Sequence, residues 1–136
     1  MPFSVSTDYF ALFPLVIFAI VIAIFLRFYR RKDQLHAAEL GKKPLFSDTC
    51  GGVVGWLNYK GPFIRVAVYP DFVVVSSDRQ YYLPFGEIAS IERRSFLFTK
   101  GYRIHHRNPQ YPKRIEVWLG KQESFEAALA GKVTLG

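Results

Sequence analysis

The side chains with the most chemical potential in this 136-residue chain are cations and aromatic rings, and they gather late in the sequence. In Tyr102-Arg103-Ile104-His105-His106-Arg107 a period of two puts Arg103, His105 and Arg107 on one face of a strand and Tyr102, Ile104 and His106 on the other. The first set is a cationic stripe able to meet phosphate groups or an acidic partner. The plainer reading is a solvent face balanced across the sheet by Glu116. Adjacent histidines on a strand point to opposite sides and cannot chelate one ion together. No other His, Cys or carboxylate stands at ligand spacing, so neither a metal nor a cofactor is expected. Just upstream, Phe96, Leu97 and Phe98 sit between Arg93, Arg94 and Lys100, Arg103. An apolar tip among cations either dips into a membrane surface or is a strand end packed in the core.

Catalysis finds little support. There is no Gly-rich phosphate loop, no G-x-S-x-G elbow, no H-E-x-x-H and no carboxylate pair in a recognisable context; Glu87, Glu92 and Glu116 read as surface strand residues, and no enzyme is expected. The single cysteine, Cys50, permits no intramolecular disulfide and carries no nucleophile signature. Trp56 and Trp118, with Tyr81 and Tyr82, suggest either a peptide groove or ordinary packing. The net charge of +7 divides into +3 over residues 1–45 and +4 over residues 46–136. That balance suits anionic head groups and a weak nucleic-acid contact equally well.

These groups must be positioned by two unlike segments. The run Tyr9 to Leu26, YFALFPLVIFAIVIAIFL, contains no ionisable group but the Tyr9 phenol, and Tyr9–Phe28 has the roughly 20 apolar residues that a bilayer core of about 30 Å requires. Asp8 is the only charge before it, while Arg27, Arg30, Arg31 and Lys32 follow, the reverse of a cleaved signal peptide. Basic residues next to a span stay on the cytoplasmic side, so the expected topology is a single-pass plasma or inner-membrane protein with its N-terminus outside. Residues 1–8 form a short outer tail, 9–28 the transmembrane helix starting near Thr7–Asp8, and 29–45 a basic juxtamembrane helix and linker. Arg30 to Leu40 lacks Gly and Pro, so the helix is predicted to continue to a stop at Gly41. His36 is read there as a solvated helix residue, and Lys42 and Lys43 add to the basic group near the leaflet.

From residue 46 to 136 the pattern is that of an antiparallel β domain. Strands are predicted at Gly52–Tyr59, Phe63–Tyr69, Phe72–Ser76, Gln80–Phe85, Ile88–Arg94, Tyr102–Arg107 and Arg114–Leu119. Turns are predicted at Lys60-Gly61-Pro62, Tyr69-Pro70-Asp71, Ser77-Asp78-Arg79 and Asn108-Pro109. A helix over Gln122–Leu129 presents Phe125, Ala128 and Leu129 to the sheet.

The segments VAVYPDFVVVSS-DRQYYLPFGEIASIE, GYRIHHRNP, RIEVWLG and ESFEAAL resemble the bacterial pleckstrin-homology-like domains, close in layout to GRAM domains, over about residues 51–130. The resemblance rests on Tyr69-Pro70-Asp71, on Pro84-Phe85-Gly86-Glu87-Ile88 and on the Phe125/Leu129 pair. It implies a mainly-β barrel of about seven antiparallel strands with a C-terminal covering helix, a scaffold used for binding lipids, peptides or partner domains. The basic motif of phosphoinositide-binding members would fall on Lys60 and Arg65, with Ala67 where the second member of its basic pair stands. The expected function is a membrane-tethered, non-enzymatic binding or adaptor module. It would contact a protein partner or the inner leaflet through Lys60, Arg65, Arg93, Arg94, Phe96, Leu97, Phe98, Lys100, Arg103, His105 and Arg107. Alternatives are a small structural accessory subunit of a membrane complex and an anionic-lipid sensor. Expected partners are membrane lipids through the span and a protein or second copy of the chain, with no nucleic acid.

Overall fold

A computed structural model describes the backbone of residues 2–96 and 99–136 and the side chains of residues 11–95 and 100–136. It begins with one long helix, α1 (Pro2–Arg31), whose stretch Ala11–Arg31 is long and apolar enough to cross a membrane and buries none of that apolar window against the rest of the chain. The helix starts at Pro2, not near Thr7–Asp8, so the expected tail is helical. Pro14 therefore falls inside α1, where its missing N–H removes one interior hydrogen bond.

Seven strands follow: β1 (Phe46–Val54), β2 (Leu57–Val68), β3 (Phe72–Ser76), β4 (Gln80–Pro84), β5 (Ile88–Phe96), β6 (Thr99–His106) and β7 (Ile115–Trp118). They form one antiparallel sheet in the order β4-β3-β2-β1-β7-β6-β5, curled into a half-barrel. Two meanders, β1–β4 and β5–β7, are joined by the β1–β7 pairing, and α2 (Gln122–Leu129) covers the concave face. Phe125 and Leu129 of α2 are fully buried among Ile64, Val66, Leu83, Ile91 and Ile104, which is where the i, i+4 spacing predicts them. After α2 the chain returns along β5: the Ile91 N–H donates to the Thr134 carbonyl at 2.8 Å, and the Arg93 N–H to that of Gly136 at 2.8 Å. Part of an exposed strand edge is thereby paired.

The first hairpin differs from the sequence expectation. β1 begins six residues earlier than predicted and turns at Gly55-Trp56, with Gly55 at a φ of 64° that suits a tight hairpin turn. Lys60-Gly61-Pro62 is no turn. Cys50 pairs with Ile64 and Gly52 with Tyr59, so Gly51 alone faces the four β2 residues 60–63, a wide bulge that swings Phe63 outward.

The convex face is divided. On the β2–β3–β4 half, Ala67, Tyr69, Phe72 and Val74 form a second buried cluster with Ala38 and Tyr82, covered by the chain after α1. On the β1–β7–β6–β5 half nothing among the described residues covers a row of charged and aromatic side chains.

Candidate functional site

Two places on the convex face are more than packing. The first is the seam between α1 and the sheet. The helix ends at Arg31, and the predicted continuation to Leu40 does not form: a turn leads to a single 3₁₀ turn at Ala37–Glu39, capped by the His36 imidazole accepting from the Ala38 N–H at 3.1 Å. Arg65 of β2 explains the change. Its Nε donates to the Lys32 carbonyl at 2.7 Å, and Nη2 donates to the Gln34 carbonyl at 3.1 Å. Nη1 and Nη2 grip the Glu39 carboxylate at 2.8 and 3.0 Å. Tyr69 Oη and the His36 N–H complete that carboxylate at 3.0 and 2.7 Å. A buried guanidinium with every arm engaged outcompetes local helix propensity.

Burial by itself would raise the Glu39 pKa, but hydrogen bonds from Arg65, His36 and Tyr69 and the charge of Arg65 outweigh it and hold the carboxyl below its ordinary range. The Tyr69 phenol is pushed up to about 12 by burial and by its bond to Glu39. Arg65, expected as a lipid or partner contact, is thus a buried clamp, 7% exposed. Lys32, expected among the membrane-proximal basic residues near the leaflet, is buried too: its Nζ lies 4.0 Å from the centre of the Tyr29 ring and 3.0 Å from an Asp33 oxygen. His36 is likewise no solvated helix residue, for its ring stacks on Tyr82 at 5.1 Å.

The clamp sets what lies beside the end of α1. Phe63, on the bulge, meets Phe25 edge-on at 5.3 Å and Tyr29 at 6.3 Å. Asp78, in the β3–β4 turn, lines a shallow depression with Ala23, Leu26, Arg27, Arg30 and Arg31, and on its other side lines a second with Trp56 and Arg79. Trp56, at the hairpin tip, is 89% exposed. Exposed Lys60 stands on the bulge beside this rim.

The second place is a cleft of about 390 Å³ on the uncovered half of the face, lined by Asn58, Arg94, Gly101, Arg114, Glu116 and Trp118 among others. The Trp118 indole lies over two glycines: an added Cβ would stand 3.2 Å from its Cε3 at Gly51 and 2.7 Å from its Cδ1 at Gly101. At the floor is Glu116, buried, with Arg103 on its Oε1 at 2.6 Å, Arg114 near its Oε2 at 3.4 Å and Arg94 at 3.8 Å. The expected balance of Arg103 by Glu116 holds, but Glu116 is no surface residue.

The remaining candidates disperse. Arg93 pairs with Glu126 of α2, and His105 Nε2 meets Glu92 at 2.9 Å. Arg107 donates to the Gly86 carbonyl at 3.2 Å, and Lys100 is exposed. His106 turns the other way, to the Pro112 carbonyl at 2.6 Å, as strand alternation requires. Leu97 and Phe98 lie outside the described residues, as does the Phe96 side chain. Sequence reasoning missed Arg114, Asn58 and Gly101. The signal was the alternation Arg114-x-Glu116-x-Trp118, which puts all three on one face. Compared with family models, with curated proteins and with solved structures, the chain matches none.

Proposed function

We propose that this chain is a membrane-tethered, non-enzymatic binding module whose half-barrel is of the pleckstrin-homology-like kind and rests against the cytoplasmic leaflet. The observation that carries the reading is the Arg65 clamp. It engages the carbonyls of Lys32 and Gln34 within three residues of the last turn of α1, so the sheet is fastened to the helix end instead of trailing on a linker.

With Ala11–Arg31 as the span, Phe63 against Phe25 and Tyr29 stands at the depth where aromatic rings favour the membrane–water boundary, and Trp56 and Lys60 share that rim. Arg27, Arg30 and Arg31 on the same side fit a cytoplasmic orientation, each contributing about 1 kcal/mol of attraction to an anionic leaflet. Seven antiparallel strands closed by a C-terminal helix agree with the layout that the resemblance implies. A fixed docking geometry, with no flexible arm, suits a module that presents one face to lipid and another to a partner.

The test is fractionation of the full-length protein carrying a C-terminal tag. Retention in the membrane after alkaline carbonate washing, with the tag protected from protease added outside intact cells, is the expected result. Release into the aqueous fraction removes the anchor, and digestion of the tag reverses the topology.

A further inference from the structure

We propose that the cleft over Trp118 seats the phosphate of an anionic phospholipid, gripped by Arg94 and Arg114, with the indole lying in the head-group layer. The inference rests on the membrane-tethered reading and assigns that reading a ligand site.

Charge is the first argument. Arg94, Arg103 and Arg114 face a single cleft carboxylate, Glu116: Arg103 binds it through two nitrogens at 2.9 and 2.6 Å, Arg114 through one longer hydrogen bond at 3.4 Å, and Arg94 only approaches it. Glu92, two residues before Arg94 on β5, is engaged by His105. Arg94 and Arg114 stand at 3.8 and 3.4 Å with side chains about half exposed, so both can swing to a phosphate while Arg103 keeps Glu116 neutralised. Guanidinium groups match phosphate oxygens in pairs, and here two line one cleft, Arg94 from β5 and Arg114 from the residue just before β7.

Shape is the second. Gly51 and Gly101 clear the convex face so that Trp118 can lie flat, a half-buried amphipathic ring of the type favoured where an apolar layer meets water.

Depth decides for lipid over a soluble anion. α1 packs on the same convex face at Phe63, and Trp118 lies two strands away across β1, about 10 Å at normal strand spacing. Gly51 joins the two: a Cβ there would meet the Trp118 ring at 3.2 Å and the Gly61 nitrogen, two residues from Phe63, at 3.3 Å. The cleft therefore lies within about two strand spacings of the contact with the last turns of α1, in reach of the head-group layer when α1 spans.

The experiment uses the full-length Trp56→Phe protein, in which Trp118 is the only indole, reconstituted into phosphatidylcholine vesicles containing spin-labelled phosphatidylglycerol or spin-labelled phosphatidylcholine. Stronger quenching of Trp118 by the anionic lipid is expected. Arg94→Gln with Arg114→Gln lowers the apparent lipid affinity by about a hundredfold, since each lost charged contact carries about tenfold, while Arg107→Gln leaves it unchanged. Equal quenching by the two lipids, with the protein still resistant to carbonate, overturns the site and spares the anchor; extraction into the aqueous phase overturns the anchor itself. In detergent without lipid, quenching-independent shifts of Trp118 emission by glycerol phosphate, or by an acidic Glu-rich peptide, at affinities matching the vesicles would replace the lipid with a soluble phosphate or a protein partner.

Discussion

At the scale of single residues the seam predicts more than its size suggests. Arg65→Met leaves the Glu39 carboxylate buried without its counter-charge, a change expected to cost about 3–5 kcal/mol, whereas Arg65→Met with Glu39→Leu recovers most of the loss because both charges leave together. Chemical denaturation of the two variants beside the parent in detergent checks this. The same carboxyl sets a pH dependence. Its folded pKa is depressed, so the stability it contributes is fully present above the ordinary glutamate value of about 4.3 and disappears as the pH falls through the folded value. Midpoints measured from pH 7 to pH 3 are expected to drop below that range, and less steeply in the double variant. Cys50 is the opposite case: burial pushes its thiol up to about 12, so a thiol reagent at pH 8 is expected to label it only after unfolding. Rapid labelling of the native protein would show that β1 opens locally. None of this could be seen in the sequence, because Arg65, Glu39 and Tyr69 are brought together across 26 to 30 positions of chain.

Elements show where the sequence was legible and where it was not. Phe72–Ser76 and Gln122–Leu129 have the predicted bounds, since a β-branched run between Pro70-Asp71 and Ser77-Asp78 has one local solution and a short amphipathic helix has one apolar face. Errors arose where local signals compete with distant partners. Lys60-Gly61-Pro62 carries every mark of a turn, yet β1 begins early enough to pair beyond it, and the tripeptide becomes a bulge. Arg30–Leu40 has helix-forming residues throughout, yet β2 claims two of the carbonyls just past Arg31. The cleft was half legible: Arg94 and Arg103 stood out as cations, but Gly51 and Gly101, which make room for Trp118, fell just outside the predicted strands. Those glycines are testable. A Cβ at Gly52 would fall 2.1 Å from the Glu116 carbonyl oxygen, so Gly52→Ala is expected to disrupt the β1–β7 pairing that joins the two meanders, costing at least about 2 kcal/mol. Gly101→Ala meets the Val117 carbonyl oxygen at 2.6 Å and Trp118 at 2.7 Å, and is expected to shift Trp118 emission with a smaller loss. Near-ultraviolet circular dichroism and thermal melts separate the two.

For the molecule as a whole, the boundary between helix α1 and the half-barrel decides how the two move together. Composition places that boundary at residue 46, but the fold places it at the end of α1. Residues 32–39 supply the Glu39 partner of Arg65, the Ala38 contact with the Tyr69/Phe72/Val74 cluster and the His36 ring on Tyr82. A fragment 46–136 would expose that cluster and strand a guanidinium in it, whereas 32–136 retains both coverings. The shorter fragment is therefore expected to be less stable by several kcal/mol, roughly the sum of a broken buried ion pair and the uncovered apolar area, and to bind a dye for exposed hydrophobic surface. The longer one is expected to unfold in a single cooperative transition. Equal stability of the two would mean that the segment after α1 is a passive tether and that the half-barrel is free to turn relative to α1. If the difference is as large as the seam implies, movement of α1 in its surroundings is transmitted to β2 directly through Lys32, Gln34 and Glu39. The orientation of the cleft then follows the tilt of the helix.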